Sequence, residues 1–283
     1  MASLALAWLD DSHLAFPAPE QALTHDSGVP GLLAAGGDLS VPRLREAYRS
    51  GVFPWFSDGQ PILWWSPDPR MVLRVDELRV TRSLRKTVQR FARTPGCGLR
   101  IDSDFRRVIE ACARTPRPGQ DGTWIVREMV EAYAAWHERG EVHSFETWMD
   151  GELAGGLYGV CVGRMFFGES MFSWRTDASK IALVALAAFC RRHGIEMIDC
   201  QQRTEHLASL GAREIPRREF LRHVRSATRM ASVTDWRFEP ALWQELPELA
   251  GRGPAPSPLP QPDLPGGTVS APSPFMDKER SEE

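Results

Sequence analysis

Ser144-Phe-Glu-Thr-Trp-Met149, the turn Asp150-Gly151 and Glu152-Leu-Ala-Gly-Gly-Leu-Tyr-Gly-Val160 are two runs of strand-forming residues joined by an Asp-Gly pair. Such a pair suits a tight hairpin because both positions tolerate the positive φ that the connection requires. A second turn at Val162-Gly163 leads into Arg164 to Phe172, which completes a three-stranded antiparallel meander. Downstream, Ala178 to Phe189 is apolar on nearly all sides. Asp177 stands at its N-cap, Arg191, Arg192 and His193 suit the negative end of its dipole, and Gly194 suits its C-terminus. A helix without a polar stripe is buried, so this one lies on a sheet. Ile195-Glu-Met-Ile-Asp-Cys-Gln201 then alternates as a strand does.

The order meander, helix, strand is the central piece of an acyltransferase-type α/β fold (α+β in its mixed sheet), the kind found in N-acetyltransferases of the GNAT type. Working outward, residues 1–66 are expected to form a small loop-rich domain around the helix-like Val41 to Ser50. Residues 67–245 are expected to form the acetyltransferase-like domain, and residues 246–283 a proline-rich tail. From Gly251 onward the chain holds eight of its twenty-two prolines and ends in mixed charge. Such a segment cannot bury enough side chain to offset its ordering entropy, so disorder is expected there.

Composition limits the function classes. With 42% apolar content, 283 residues can bury a full core and make one or two domains. The five cysteines, at 97, 112, 161, 190 and 200, contain no Cys-x-x-Cys pair, which argues against a disulfide framework or zinc ribbon. Ala2 to Leu9 is apolar but is followed at once by Asp10 and Asp11 and is too short to span a bilayer. A cytoplasmic protein without a membrane partner is expected. The formal charge of −3 excludes a uniformly basic nucleic-acid coat but permits a local basic face.

Several constellations can carry chemistry. In a strand, Asp199 and Gln201 share one face while Ile198 and Cys200 share the other. The carboxylate and amide either cap a turn or act on a substrate, where the glutamine carbonyl can accept a hydrogen bond from an amine and hold it for attack. Glu169 lies in an apolar strand, where it faces either a cationic ligand or an ordinary salt-bridge partner. Gly168-Glu-Ser-Met-Phe172 is not a nucleophile elbow, because Phe172 stands where that turn needs glycine. His137 and His143 are six residues apart and cannot share a helical face, so no metal site is expected. Arg93-Thr-Pro-Gly-Cys-Gly98 matches the glycine loop that cradles coenzyme A, but it follows a helix-like segment and contains Pro95, which has no amide donor. Arg82, Arg85, Lys86, Arg90 and Arg93 are spaced along one broad helical face, either as a solvated surface or as a phosphate track. Trp55, Trp64, Trp65 and Trp124 are core residues or stacking platforms for unpaired bases.

Gly31-Leu-Leu-Ala-Ala-Gly-Gly-Asp-Leu39, Gly51-Val-Phe-Pro-Trp-Phe56, Pro61-Ile-Leu-Trp-Trp-Ser-Pro-Asp-Pro-Arg70, Thr123-Trp-Ile125, Gly155-Gly-Leu-Tyr-Gly159, Phe167-Gly-Glu-Ser-Met-Phe-Ser173, Ala178-Ser-Lys180, Ile198-Asp-Cys-Gln201 and Ser209-Leu-Gly-Ala212 with Ile215-Pro-Arg217 follow one another in order. Together they resemble the leucyl/phenylalanyl-tRNA-protein transferase family over roughly residues 12–225. The resemblance implies transfer of Leu, Phe or Met from aminoacyl-tRNA to the α-amine of proteins with N-terminal Arg or Lys, which marks them for degradation. It implies leucyl-tRNA and phenylalanyl-tRNA as partners and no cofactor. By resemblance, the donor side-chain pocket maps onto Leu157, Phe166, Leu183, Leu186 and Ile198, with Glu169 near its mouth. Trp55 and Trp124 match the positions that hold the terminal adenosine, Arg82, Arg85, Lys86 and Arg90 the tRNA-binding cluster, and Asp199 with Gln201 the catalytic pair. A basic acceptor calls for acidic groups near the amine, with Glu169 and Asp199 the candidates.

Three other readings share these features. A coenzyme-A-dependent N-acetyltransferase would bind acetyl-coenzyme A. A non-catalytic RNA-binding module would bind tRNA regardless of its aminoacyl group. A cell-wall aminoacyl-tRNA transferase would show two acetyltransferase-like units, whereas this chain shows one.

Overall fold

The computed structural model describes residues 6–10, 12–115 and 125–250. Trp124 and the segment from Gly251 to Glu283 lie outside the described residues, so the expectations that fall on them have no structural counterpart here.

The first part of the chain builds a four-stranded sheet in the order β1 (Ala7–Leu9), β2 (Leu32–Gly36), β4 (Leu63–Trp65), β3 (Phe53–Pro54). One helix, α1 (Val41–Arg49), packs beside it. Ser40 caps α1 by accepting from the Arg43 amide, which satisfies one of the four amides that a helix start leaves unpaired. Trp64 is fully buried and its indole N–H donates to the Gly36 carbonyl at 2.9 Å. It is therefore a core residue and not a stacking platform, because a strand side chain facing the sheet interior has no route to solvent.

The second sheet has seven strands in the order β11 (Arg213–Ile215), β5 (Arg70–Arg74), β10 (Met197–Gln201), β9 (Met165–Ser173), β8 (Glu152–Val162), β7 (Val142–Met149), β6 (Cys97–Ile101). The expected meander is β7-β8-β9, antiparallel throughout. The expected buried helix is α5 (Ala178–Arg192), which crosses from β9 to β10 and makes those two strands parallel. Gly155 on β8 permits its close approach: a Cβ there would stand 2.6 Å from the Ala178 Cβ. The helix ends as expected, with Gly194 at φ 65°. There the Gly194 amide donates to Arg191 and the Ile195 amide to Cys190, pairing two terminal carbonyls. Its start differs. Asp177 occupies the cap position at φ 62° but makes no side-chain cap bond, because its carboxylate is engaged by the Lys180 ammonium at 2.9 Å.

Helices α2 (Arg82–Phe91), α3 (Phe105–Arg114), α4 (Arg127–His137), α6 (Glu205–Ser209) and α7 (Arg217–Ala227) complete the chain. One apolar cluster joins the small sheet, α1, α3, α4 and α7 to one face of the large sheet, while a second joins α2 and α5 to the other. Each buried Leu, Ile or Phe in these layers contributes about 1.5–3 kcal/mol. Leu246 and Leu249, which the sequence places with the tail, are buried in the second cluster, since they extend the packing of Leu242 and Trp243. Arg93 falls beyond the end of α2, in the turn toward β6, so the helical basic face consists of Arg82, Arg85, Lys86 and Arg90, all exposed.

Candidate active site

The large sheet opens where β9 and β10 part. Their pairing joins Ile198 to Phe166 and Asp199 to Phe167. Beyond it β9 continues along β8 to Ser173, whereas β10 ends at Gln201. The gap becomes a cavity of about 770 Å³. Leu157, Met171, Leu183, Leu186, Ile198 and Leu207 give it apolar walls. Glu169, Asp199, Gln201, Gln202, Thr204, Glu205 and His206 give it polar ones, and Phe53 and Trp55 reach it from the small sheet. Parallel strands separated by a crossing helix are free to diverge at their ends, and ligands commonly bind at such openings in α/β sheets.

Strict alternation fails at the end of β10. Its register against β5 shifts between Asp199 and Gln201, and Gln201 adopts a left-handed φ of 61°. For a residue other than glycine that conformation costs roughly 1–2 kcal/mol, and it is held here by specific bonds. The Gln201 amide N–H donates to Asp199 Oδ1 and its side-chain Nε2 donates to Glu169 Oε1, each at 2.9 Å. As a result Ile198, Asp199, Cys200 and Gln201 all line the cavity, instead of dividing between two faces. The side-chain carbonyl of Gln201 remains the part of this amide that can accept from a substrate.

Asp199 is fully buried and bidentately paired with Arg70, whose Nε and Nη2 donate at 2.8 and 2.5 Å. The guanidinium is sandwiched between the Phe53 and Phe220 rings at 4.7 and 4.5 Å. Planar stacking on aromatic faces and a forked donor set are both properties of arginine that lysine lacks.

Among the described residues no cation forms an ion pair with Glu169, so the salt-bridge reading does not hold and its oxygens meet phenols and an amide instead. Tyr48 Oη donates to its Oε1 at 2.6 Å, Tyr133 Oη lies 3.3 Å from Oε2, and the two phenols are 2.5 Å apart. Burial pushes its carboxyl up to about 8, the phenol bonds and Arg70 pull the other way, and the Asp199 charge adds to the rise. Burial also drives both tyrosines well above the usual phenol range. Both phenols donate to the carboxyl, Tyr48 to Oε1 and Tyr133 to Oε2, so each of its oxygens has a partner. A hydrogen-bonded neutral acid of this kind is how an apolar site avoids an uncompensated buried charge.

Of the residues anticipated from sequence, Leu157, Glu169, Leu183, Leu186, Ile198, Asp199, Gln201 and Trp55 meet at this cavity. Phe166 does not line it. Its ring is fully buried, edge-on to Phe145, within the same α5-side core as the lining residues Leu157, Leu183, Leu186 and Ile198. The cations of α2 do not line it either; among the described residues no carboxylate forms an ion pair with Arg82, Arg85, Lys86 or Arg90. Trp55 is half-buried against Trp65, which donates to the Trp55 carbonyl at 2.7 Å.

Arg70, Tyr48 and Tyr133 hold the cavity's carboxyls and were not singled out from sequence. Arg70 had a signal, a charge opening the apolar run Met71-Val-Leu73. Tyr48 and Tyr133 look like ordinary members of apolar helical faces, and no local pattern joins residues 85 positions apart. Among the described residues no group of three or more His, Cys, Asp and Glu gathers as a metal site would require. No helix of the described residues is long and apolar enough to cross a membrane.

Comparisons with known proteins show the family to which the chain belongs. The model of the leucyl/phenylalanyl-tRNA protein transferase family matches residues 72–225, and the model of that family's N-terminal domain matches residues 37–68. The chain is 59% identical over 254 residues to a leucyl/phenylalanyl-tRNA–protein transferase of Leptothrix cholodnii, covering 89% of this chain and 99% of that one. It is 57% identical to proteins of the same description from Methylibium petroleiphilum, over 88% of this chain and 94% of that one. The same identity holds for one from Cupriavidus necator, over 89% and 99%. Among solved structures, a GCN5-related N-acetyltransferase from Kribbella flavida aligns at 10% identity over 58% of this chain and 57% of that one, with a TM-score of 0.29, too low to carry an inference.

Proposed function

Because the chain belongs to the leucyl/phenylalanyl-tRNA protein transferase family, we propose that its cavity receives the aminoacyl end of leucyl-tRNA or phenylalanyl-tRNA and joins that amino acid to a protein N-terminus. The chain is an aminoacyltransferase, and the acceptors in this reading are proteins beginning with Arg or Lys, which the addition marks for degradation in the cytoplasm. The observation that carries the reading is the two-sided cavity, with aliphatic walls at one end and the Arg70-anchored Asp199–Gln201 edge at the other.

The donor side chain enters among Leu157, Leu183, Leu186 and Ile198. Apolar walls separate neighbouring aliphatic side chains by only about 1–3 kcal/mol per methylene, so Leu, Phe and Met are all admitted to different degrees. Trp55 offers a half-buried ring edge at the entrance for the terminal adenosine. Trp124 is assigned to the same task from the family resemblance, and the α2 cations to phosphates farther along the tRNA.

The aminoacyl ester is already an activated acyl donor, and an α-amine with a pKa of about 7.7–8.0 is partly neutral at cellular pH. No strong base is required. The amine attacks the ester carbonyl, the new C–N bond forms, the C–O bond to ribose breaks, and the ribose oxygen leaves with the proton that the amine releases. Gln201 accepts a hydrogen bond from the amine and holds it in line. Asp199 fixes the backbone of Gln201 through its amide and is itself fixed by Arg70. Positioning of this kind reaches about 7–11 kcal/mol of barrier in favourable cases.

The test is transfer of radiolabelled leucine from charged tRNA to a protein with an N-terminal Arg or Lys, beside an N-acetylated acceptor and an acetyl-coenzyme A donor. Label on the free basic N-terminus alone is the expected result. No transfer with tRNA still bound points to an RNA-binding module, and acetyl transfer points to an N-acetyltransferase.

A further inference from the structure

We propose that Glu205 is the residue that senses the positive charge of the acceptor's first side chain. This rests on the transfer reaction proposed above and adds the acceptor subsite to it.

Asp199, Glu169 and Glu205 are the carboxylic acids among the residues that line the cavity. The first two, which sequence alone suggests as readers of a basic acceptor, are already committed inside the protein. Both oxygens of Asp199 are taken by Arg70 at 2.8 and 2.5 Å, and its side chain is 1% exposed. Glu169 sits in a cage of Tyr48, Tyr133 and the Gln201 amide, and its burial favours the neutral acid. Neither presents a free negative charge to a guanidinium or an ammonium.

Glu205 differs in each respect. It opens α6, four residues beyond Gln201, and its side chain is 87% exposed at the cavity rim. Four residues of chain span at most about 14 Å, and Glu205 and Gln201 line the same cavity. The α6 start is fixed by Thr204, whose hydroxyl accepts from the Leu207 amide at 3.2 Å. An acceptor with its α-amine at Gln201 therefore has a defined carboxylate ahead of its side chain.

Glu205 already holds a cation, Arg203, at 3.0 Å. The arrangement makes that partner exchangeable. Both side chains are exposed, so the pair is weak and screened. Arg203 also has a second carboxylate, Glu214, at 3.7 Å, and keeps a partner when Glu205 turns to an incoming charge. The neighbouring Lys180 is engaged by Asp177 at 2.9 Å. A charged rim residue facing a mobile cation acts on binding more than on the chemical step.

The experiment compares two acceptor peptides that differ only in the first residue, arginine or its uncharged isostere citrulline, with leucyl-tRNA as donor. The unaltered enzyme is expected to favour arginine through a lower KM. In Glu205→Gln the ratio of kcat/KM between the two peptides is expected to fall about tenfold, as loss of one charge-assisted contact does. In Glu205→Lys citrulline becomes the better acceptor. In Arg203→Ala, where the internal competitor is gone, the arginine preference rises. The citrulline rate in each variant is the internal reference for a folding defect. An unchanged ratio in Glu205→Gln, or an unaltered enzyme that does not distinguish the peptides, overturns the assignment. No transfer to either peptide overturns the transferase reading itself.

Discussion

Asp199 and Glu169 stand on adjacent strands and line the same cavity, and the protein keeps these two buried carboxyls by opposite means. Asp199 stays charged because a stacked arginine meets both its oxygens. Glu169 is pushed toward the neutral acid by burial, and the phenols and the amide around it satisfy its oxygens. The difference teaches how one cavity can hold a fixed anion that positions the backbone of Gln201 beside a neutral donor–acceptor group. Two ionised carboxylates side by side would repel each other and draw water into the cavity.

The strongest way to break the contrast is to remove the cation. Arg70→Met leaves Asp199 buried without a partner, and urea unfolding is expected to show a loss of about 3–5 kcal/mol. Replacing both members, Arg70→Met with Asp199→Leu, should recover much of that loss. A small effect from the single change would mean that Asp199 has another way to stay charged.

Glu169→Gln sharpens the contrast through pH. The folded acid titrates at about 8 against an ordinary value of 4.5, so between those values the folded chain holds a proton that the unfolded chain has released. Its contribution to stability is full below pH 4.5 and declines as pH rises toward 8. The glutamine variant has no such proton. The stability of the unaltered protein relative to it should therefore fall by on the order of a few kcal/mol between pH 5 and pH 8. Parallel stability curves for the two proteins would remove the neutral acid from the description.

The smallest expected effect comes from Tyr133→Phe. It deletes one of the two phenol hydrogen bonds to Glu169 and costs about 1 kcal/mol. Because the Tyr133 hydrogen bond pulls the Glu169 carboxyl down, its loss should move the Glu169 titration to higher pH, followed by carboxyl infrared absorption. A shift to lower pH would show that the phenol stabilises the neutral form instead.

Much of the architecture was legible because it depends on local patterning. The Asp150-Gly151 turn, the uniformly apolar Ala178 to Phe189 and the Gly194 stop each state their geometry in a few residues, and all three recur in the fold. The residues Leu157, Leu183, Leu186 and Ile198, named through resemblance, do line the cavity, whereas Phe166 lies in the same apolar cluster but fully buried and away from the lining. The end of β10 was misjudged because alternation assumes a regular strand, and Gln201 leaves that geometry under bonds supplied by residues elsewhere.

By itself the sequence determined the order of elements, the buried crossing helix, the basic face of α2 and the placement of Asp199 and Gln201 at a strand end, since each follows from periodicity, turn chemistry or spacing within a short window. Tertiary structure alone decided which charges remain available. Arg70 reaches Asp199 across 129 residues and Tyr48 reaches Glu169 across 121. An ionisable group's state depends on what surrounds it in space, and that is set when the two sheets close on a common core.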